Sequence, residues 1–153
     1  MGTSFTRYRG KGFWARDGQI AVWLYLLVEE IDRLENPAEW LRRLREDWLF
    51  QATIGASGCV GAGLDEWATS AERVQALVEL SAKALERLRE RGPRLTLEAP
   101  YSCGTGGPDT LCVDRDIRIF SCVGEAFIDL LQGRVTTDAR TAPCLWPPEV
   151  PYV

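Results

Sequence analysis

The segment at residues 55–67, GASGCVGAGLDEW, has the composition of a ligand-binding loop. It contains four glycines, one cysteine and two adjacent carboxylates, Asp65 and Glu66. Glycine-rich loops cradle phosphates when their backbone N–H groups converge beside a helix N-terminus. This segment follows a predicted helix, contains no basic residue and ends in two acids that would repel an anion. We therefore predict a shaped connector that leads into the next helix and contacts a protein partner.

A second glycine-rich segment, CGTGGPDTLC, spans residues 103–112 and also lacks a basic residue. Asp114 and Asp116 follow it with the spacing of a metal-binding D-x-D pair, but both acids would equally suit the start of the next helix. The spacing of Cys103 and Cys112 permits a disulfide between them but does not establish one. These residues predict turn structure, with metal binding as the less favoured interpretation.

The chain contains no histidine, which removes the usual neutral-pH acid–base group and every Ser-His or Cys-His pair. Its five cysteines form no C-x-x-C pair, and their spacing matches no structural zinc site. The residues therefore favour a protein that is not an enzyme and needs no metal or cofactor. The alternative is a small enzyme or ligand-binding domain. It would use Asp65, Glu66, Asp114 and Asp116 and would require the two glycine-rich loops to converge across one pocket.

The N-terminal segment RYRGKGFWAR, residues 7–16, interleaves basic and aromatic side chains. Arg7, Arg9 and Lys11 could contact phosphates while the aromatic rings stack on bases, which makes nucleic-acid binding a third hypothesis. The whole chain has 22 acidic and 18 basic residues, and this segment holds four of the basic ones. The net negative charge of the rest of the chain opposes general polyanion binding, so we expect a basic arm that folds back on an acidic domain.

An acidic cluster lies around the end of the first predicted helix. Its members are Glu29, Glu30, Asp32, Glu35 and Glu39. Negative charge at a helix C-terminus opposes the macrodipole, so folding alone does not explain this placement. Such a cluster would steer a basic protein partner and supply carboxylates to its lysines and arginines.

Apolar periodicity predicts the elements that position these residues. Helices are expected near residues 17–34, 36–54, 70–91 and 117–131, the first two as an antiparallel pair. A short strand is allowed near residues 94–98. The predicted fold is mainly α: a single domain over residues 1–153, built as a bundle of about four helices with two long glycine-rich loops. Residues 1–16 form the basic arm, and residues 134–153 form a proline-rich C-terminal tail.

The longest apolar run, Ile20–Val28, is too short to span a bilayer, and the N-terminal residues lack the apolar core of a signal peptide. We therefore expect a cytoplasmic protein without a membrane partner. The sequence leaves its oligomeric state open.

Four stretches together resemble an uncharacterised group of small bacterial proteins: RYRGKGFWARDGQIAVWLYLLVEEID, GCVGAGLDEW, GTGG and VGEAFIDLLQG. The resemblance covers most of the chain. It implies an association with toxin–immunity gene neighbourhoods, in which a small acidic protein neutralises a cognate toxin. The favoured function is an immunity protein that occludes the active site of a basic toxin. The predicted partner-binding residues are Glu29, Glu30, Asp32, Glu35, Asp65 and Glu66.

Overall fold

The computed structural model describes residues 2–54, 57–101 and 109–152, with only the backbone described for residues 98–101 and 109–113. Four strands and five helices alternate in groups along this part of the chain. They are β1 (Thr3–Tyr8), β2 (Lys11–Arg16), α1 (Asp17–Asp32), α2 (Glu39–Ile54), α3 (Leu64–Trp67), α4 (Ala71–Glu90), β3 (Arg94–Tyr101), β4 (Asp109–Asp116) and α5 (Arg118–Leu131).

The four long helices lie where the periodicity predicts them, and each end falls within three residues of the prediction. The fold is nevertheless mixed α and β, because β1 pairs with β2 and β3 pairs with β4 in two antiparallel sheets. Residues 3–16, predicted as an arm, form the first of these hairpins. The second contains the strand allowed near residues 94–98 and extends it to Tyr101.

Helix α1 is the central element of the core and packs against α2, α4 and α5. Trp23 on α1 is fully buried, and its ring meets the edge of Phe127 on α5, 6.0 Å between centroids. Trp48 on α2 packs on the same Phe127 ring at 6.2 Å. Gly124 makes this crossing possible, since a Cβ there would lie 2.7 Å from both Trp23 and Leu85. The helices are therefore held together by interlocking aromatic rings.

The turn of the first hairpin consists of Arg9 and Gly10, with φ angles of 51° and 77°. Two positive φ values in succession are typical of the tight turn that matches the twist of paired strands. Side chains alternate along β1: Ser4, Thr6 and Tyr8 are buried, whereas those between them point outward. The hairpin thus covers the helices with one face and presents the other to solvent.

The C-terminal segment runs along β2. The Gly12 N–H donates to the Thr137 carbonyl (2.9 Å), and the Leu145 N–H donates to the Trp14 carbonyl (2.8 Å). The Trp14 indole N–H also donates to a backbone carbonyl of this segment, that of Ala139 (2.8 Å). The predicted tail is therefore attached to the edge of the first sheet.

Candidate functional site

The carboxylate of Glu30 lies inside the protein, where its side chain is 3% exposed. Its Oε1 atom is 2.6 Å from Arg87 Nε on α4 and 3.0 Å from Arg33 Nη1. Arg87 and Arg33 keep 47% and 43% of their side chains exposed. The carboxylate therefore ties α1 to α4 and is not available for direct contact with a partner.

The other members of the acidic cluster are more accessible, and three of them are already paired. Glu39 lies 3.3 Å from Arg43 of its own helix. Glu29 is 2.9 Å from Arg91 at the end of α4, with 27% of its side chain exposed. Asp32 is 2.7 Å from Arg45 on α2, and this hydrogen bond raises the pKa of Arg45 above its ordinary value. Within the described part of the chain, Glu35 is exposed and makes no ion pair. The cluster is thus partly neutralised by arginines from other helices.

The loop before α3 directs its backbone N–H groups into the protein. Gly58 N–H donates to the Asp17 carboxylate (2.9 Å) and Val60 N–H to the Ser4 hydroxyl (3.0 Å). Gly61 N–H donates to the side-chain oxygen of Gln51 (3.1 Å). These donors are occupied by neighbouring side chains, so they do not form an anion cradle. Gly55 and Ala56 lie outside the described residues.

Asp65 and Glu66, at the end of this loop, differ in their partners. Asp65 accepts a hydrogen bond from the Arg9 N–H (2.8 Å) and lies 3.5 Å from Arg7 Nε. It therefore holds the turn of the first hairpin against α3. Glu66 is exposed and forms no ion pair among the described residues. Of the two acids, Glu66 is the one free to bind a basic group.

The second glycine-rich segment falls mainly on residues 102–108, which lie outside the described part, as does Cys103. The convergence of the two loops, which only the alternative enzyme or ligand-binding hypothesis requires, and the disulfide between Cys103 and Cys112, which the sequence leaves open, therefore both lie outside the described residues. Asp114 lies 2.8 Å from Arg94. Asp116 lies 2.7 Å from Arg118, whose hydrogen bonds lower the pKa of this carboxyl. Each acid thus has its own arginine.

Among the side chains that the structure describes, residues 2–54, 57–97 and 114–152, no three cysteine or acidic groups cluster closely enough to hold a metal ion. In the same ranges, no helix is long and apolar enough to cross a membrane.

Two open grooves border the outward side chains of β1. Phe5 and Arg7 line both of them. The first groove, about 310 Å³, lies between β1 and residues 61–66 and is called the loop groove here. The second, about 360 Å³, lies between β1 and residues 138–140 of the C-terminal segment. The grooves place an aromatic ring, an arginine and the acids of the first loop on one surface.

Arg7, Arg9 and Lys11 are all exposed at the turn end of the hairpin, as the nucleic-acid hypothesis requires. Arg7 is paired with Asp65, and Arg9 lies over the Tyr8 ring at 5.0 Å. Sequence reasoning missed Phe5 as a surface residue. The aromatic residues of β1, Phe5 and Tyr8, are three positions apart and lie on opposite faces, so the sequence carries no period-two signal that identifies Phe5.

Comparison of the chain with models of protein families, with curated proteins and with solved structures finds no match.

Proposed function

We propose that the chain is a protein-binding module whose contact surface is the loop groove and its acidic rim. The observation that supports this most directly is the composition of the groove. Phe5 and Arg7 belong to residue types enriched at protein interfaces; on the first hairpin, Phe5 is partly exposed and Arg7 is exposed. Glu66, at the rim, pairs with no cation among the described residues that would compete with a basic partner.

The more specific proposal is an immunity protein that occludes the active site of a basic toxin. It rests on the resemblance described above and on the acidic groups that remain accessible. Asp32 and Glu35 at the end of α1 would form a second contact region, with Glu29 at its edge. Glu30 has no direct role in binding in this proposal, because its carboxylate is buried at the α1–α4 junction, where it stabilises the fold.

The test is affinity capture from the native cell with the wild-type chain and two charge-reversal variants. We expect the wild type to retain a basic protein that salt releases. Glu66→Lys is expected to weaken its binding about tenfold, which corresponds to about 1.4 kcal/mol. Glu86→Lys is the matched control, because Glu86 is an exposed glutamate of α4 that lines neither groove.

Equal binding by all three proteins would remove the loop groove from the proposal. The immunity function is tested separately, by the toxicity of the captured protein. Expressed alone it should arrest growth, and co-expression with the wild-type chain should restore it. A captured protein that is harmless when expressed alone would contradict the immunity function while leaving protein binding intact.

A further inference from the structure

The outer edge of β1 carries backbone groups that no described segment of the chain uses. A two-residue turn makes Tyr8 and Lys11 a hydrogen-bonded pair, and alternation then makes Phe5↔Trp14 and Arg7↔Gly12 non-hydrogen-bonded pairs. Residues in such pairs point their N–H and C=O groups away from the partner strand. Within the described residues, the backbone groups of Phe5 and Arg7 have no hydrogen-bond partner.

The opposite edge of the same sheet shows what these outward groups do when a segment is near. Gly12 and Trp14, the cross-strand partners of Arg7 and Phe5, use their outward N–H and C=O groups to hold the C-terminal segment. The Thr137 hydroxyl completes this attachment by donating to the Gly12 carbonyl (2.9 Å). The sheet therefore already binds an extended segment along β2, while the equivalent groups of β1 have no partner in the ranges that the structure describes.

The chemistry of the loop groove defines the segment that would fit beside β1. The groove runs between this free edge and residues 61–66, so an incoming strand would lie within it. Arg7 and Asp65 are paired with each other, and no cation in the described part of the chain pairs with Glu66. Phe5 offers an apolar surface in the same groove. An extended segment that alternates apolar and basic side chains matches both features.

We propose that β1 binds its partner by strand addition: a short extended segment of a basic protein hydrogen-bonds to the Phe5 and Arg7 backbone and places a basic side chain at Glu66. Strand addition obtains affinity from main-chain hydrogen bonds and specificity from alternate side chains. This inference rests on the proposed protein-binding function and specifies how the partner is held.

The sharpest test compares Arg7→Pro with Arg7→Ala. Both variants lose the guanidinium and its contact with Asp65, but only proline also loses the outward N–H. This N–H makes no bond to β2, so proline is compatible with the hairpin at this edge position. The probe is a synthetic peptide alternating valine and lysine, with a valine–glutamate peptide as the charge control. Binding is measured by amide NMR titration, and circular dichroism checks that each variant is folded.

We expect the valine–lysine peptide to bind the Arg7→Ala protein and to bind Arg7→Pro about tenfold more weakly, because one backbone hydrogen bond is lost and its acceptor is left unpaired. The Phe5 and Arg7 amides of the wild type should exchange slowly only when the peptide is bound. If Arg7→Pro does not fold, peptides N-methylated at alternate nitrogens provide the same comparison. Methylation in one register should abolish binding, and methylation in the other should not.

Equal affinity of Arg7→Pro and Arg7→Ala, or of both methylated registers, would overturn strand addition. Preference for the valine–glutamate peptide would overturn the basic partner. A wild-type dimer that Arg7→Pro converts to a monomer would also overturn the proposal, since the edge would then pair with a second copy of the chain. Failure of the proposed function is distinguishable, because the cellular capture would then yield no partner for any variant.

Discussion

Replacing Glu30 by glutamine should destabilise the protein without altering the surface that meets a partner. Glutamine keeps the size of the side chain and one oxygen acceptor but removes the negative charge. The Glu30 carboxylate forms ion pairs with Arg87 and Arg33, and only 3% of its side chain is exposed. The substitution therefore weakens two charged contacts at the junction of α1 and α4.

The size of the effect follows from the burial of the three groups. A hydrogen bond to a charged group contributes roughly 1.5–3 kcal/mol. Arg87 and Arg33 are about half exposed, so water can solvate the cations after the charge is removed. A neutral amide also costs less to bury than a carboxylate, which offsets part of the loss. We expect a net loss of about 2 kcal/mol, or a fall in Tm of about 4–8 °C for a domain of this size.

Urea denaturation followed by circular dichroism measures the difference directly. Glu39→Gln is the matched control, because Glu39 pairs with Arg43 at 3.3 Å with both side chains about 70% exposed. An exposed pair of this kind contributes about 0–1 kcal/mol. If the two variants had equal free energies of unfolding, the structural role assigned to Glu30 would be wrong. Loss of partner binding by a folded Glu30→Gln protein would show that this residue acts at the interface.

Two further predictions concern the core and the thiols. Gly124→Ala should destabilise the protein by about 1–3 kcal/mol, because the new Cβ would lie 2.7 Å from Trp23. Gly18→Ala, where the Cβ meets nothing within 4 Å, should instead be neutral or stabilising by up to about 1 kcal/mol; thermal unfolding of both checks the sign. Burial raises the pKa of Cys122 to about 11, so at pH 8 only about one Cys122 side chain in a thousand is a thiolate. Iodoacetamide should therefore modify the exposed Cys59 before Cys122, which mass spectrometry can detect. Because the pKa of Cys122 is raised above the ordinary 9.0, the contribution of its protonated thiol to folding stability is present below pH 9 and is lost as the pH rises through about 11. Equal labelling of Cys59 and Cys122 would refute the burial of Cys122.

The helices could be predicted because their signals are local. Apolar residues recur at helical spacing along α1 and α5, and Ser70 before α4 caps the backbone N–H of Arg73 (3.2 Å). Burial of one continuous stripe then fixes which side of each helix faces the core. These features depend on neighbours a few positions away, which the sequence shows directly.

The first hairpin was missed because its turn has unusual chemistry. Asn-Gly and Asp-Gly are the common residues for this turn, whereas here Arg9 adopts the positive φ before Gly10. The Asp65 carboxylate accepts the Arg9 N–H from 56 positions away and helps to hold that conformation. The density of basic residues suggests an arm, and neither strand sequence, TSFTRY or KGFWAR, shows the strict apolar–polar alternation that indicates a strand.

The environment of Glu30 was unpredictable for a related reason. Negative charge at the end of α1 looked unfavourable when only the helix dipole was considered. The cation that offsets it, Arg87, comes from α4 and is brought near by helix packing. A charge cluster read along the sequence does not show which of its members will meet an arginine from elsewhere in the chain.

The attachment of the C-terminal segment to β2 makes the first sheet a late product of synthesis. Trp14 and Ala139, joined through the indole N–H, are separated by 125 positions. At about 5–20 residues per second, about 6–25 s pass on the ribosome between the making of one and the other. During that interval the nascent hairpin has two unpaired edges, and an isolated two-stranded hairpin is marginally stable. β1 and β2 are therefore translated well before the segment that stabilises their sheet, and the nascent chain is most exposed to mispairing before residues 137–145 emerge.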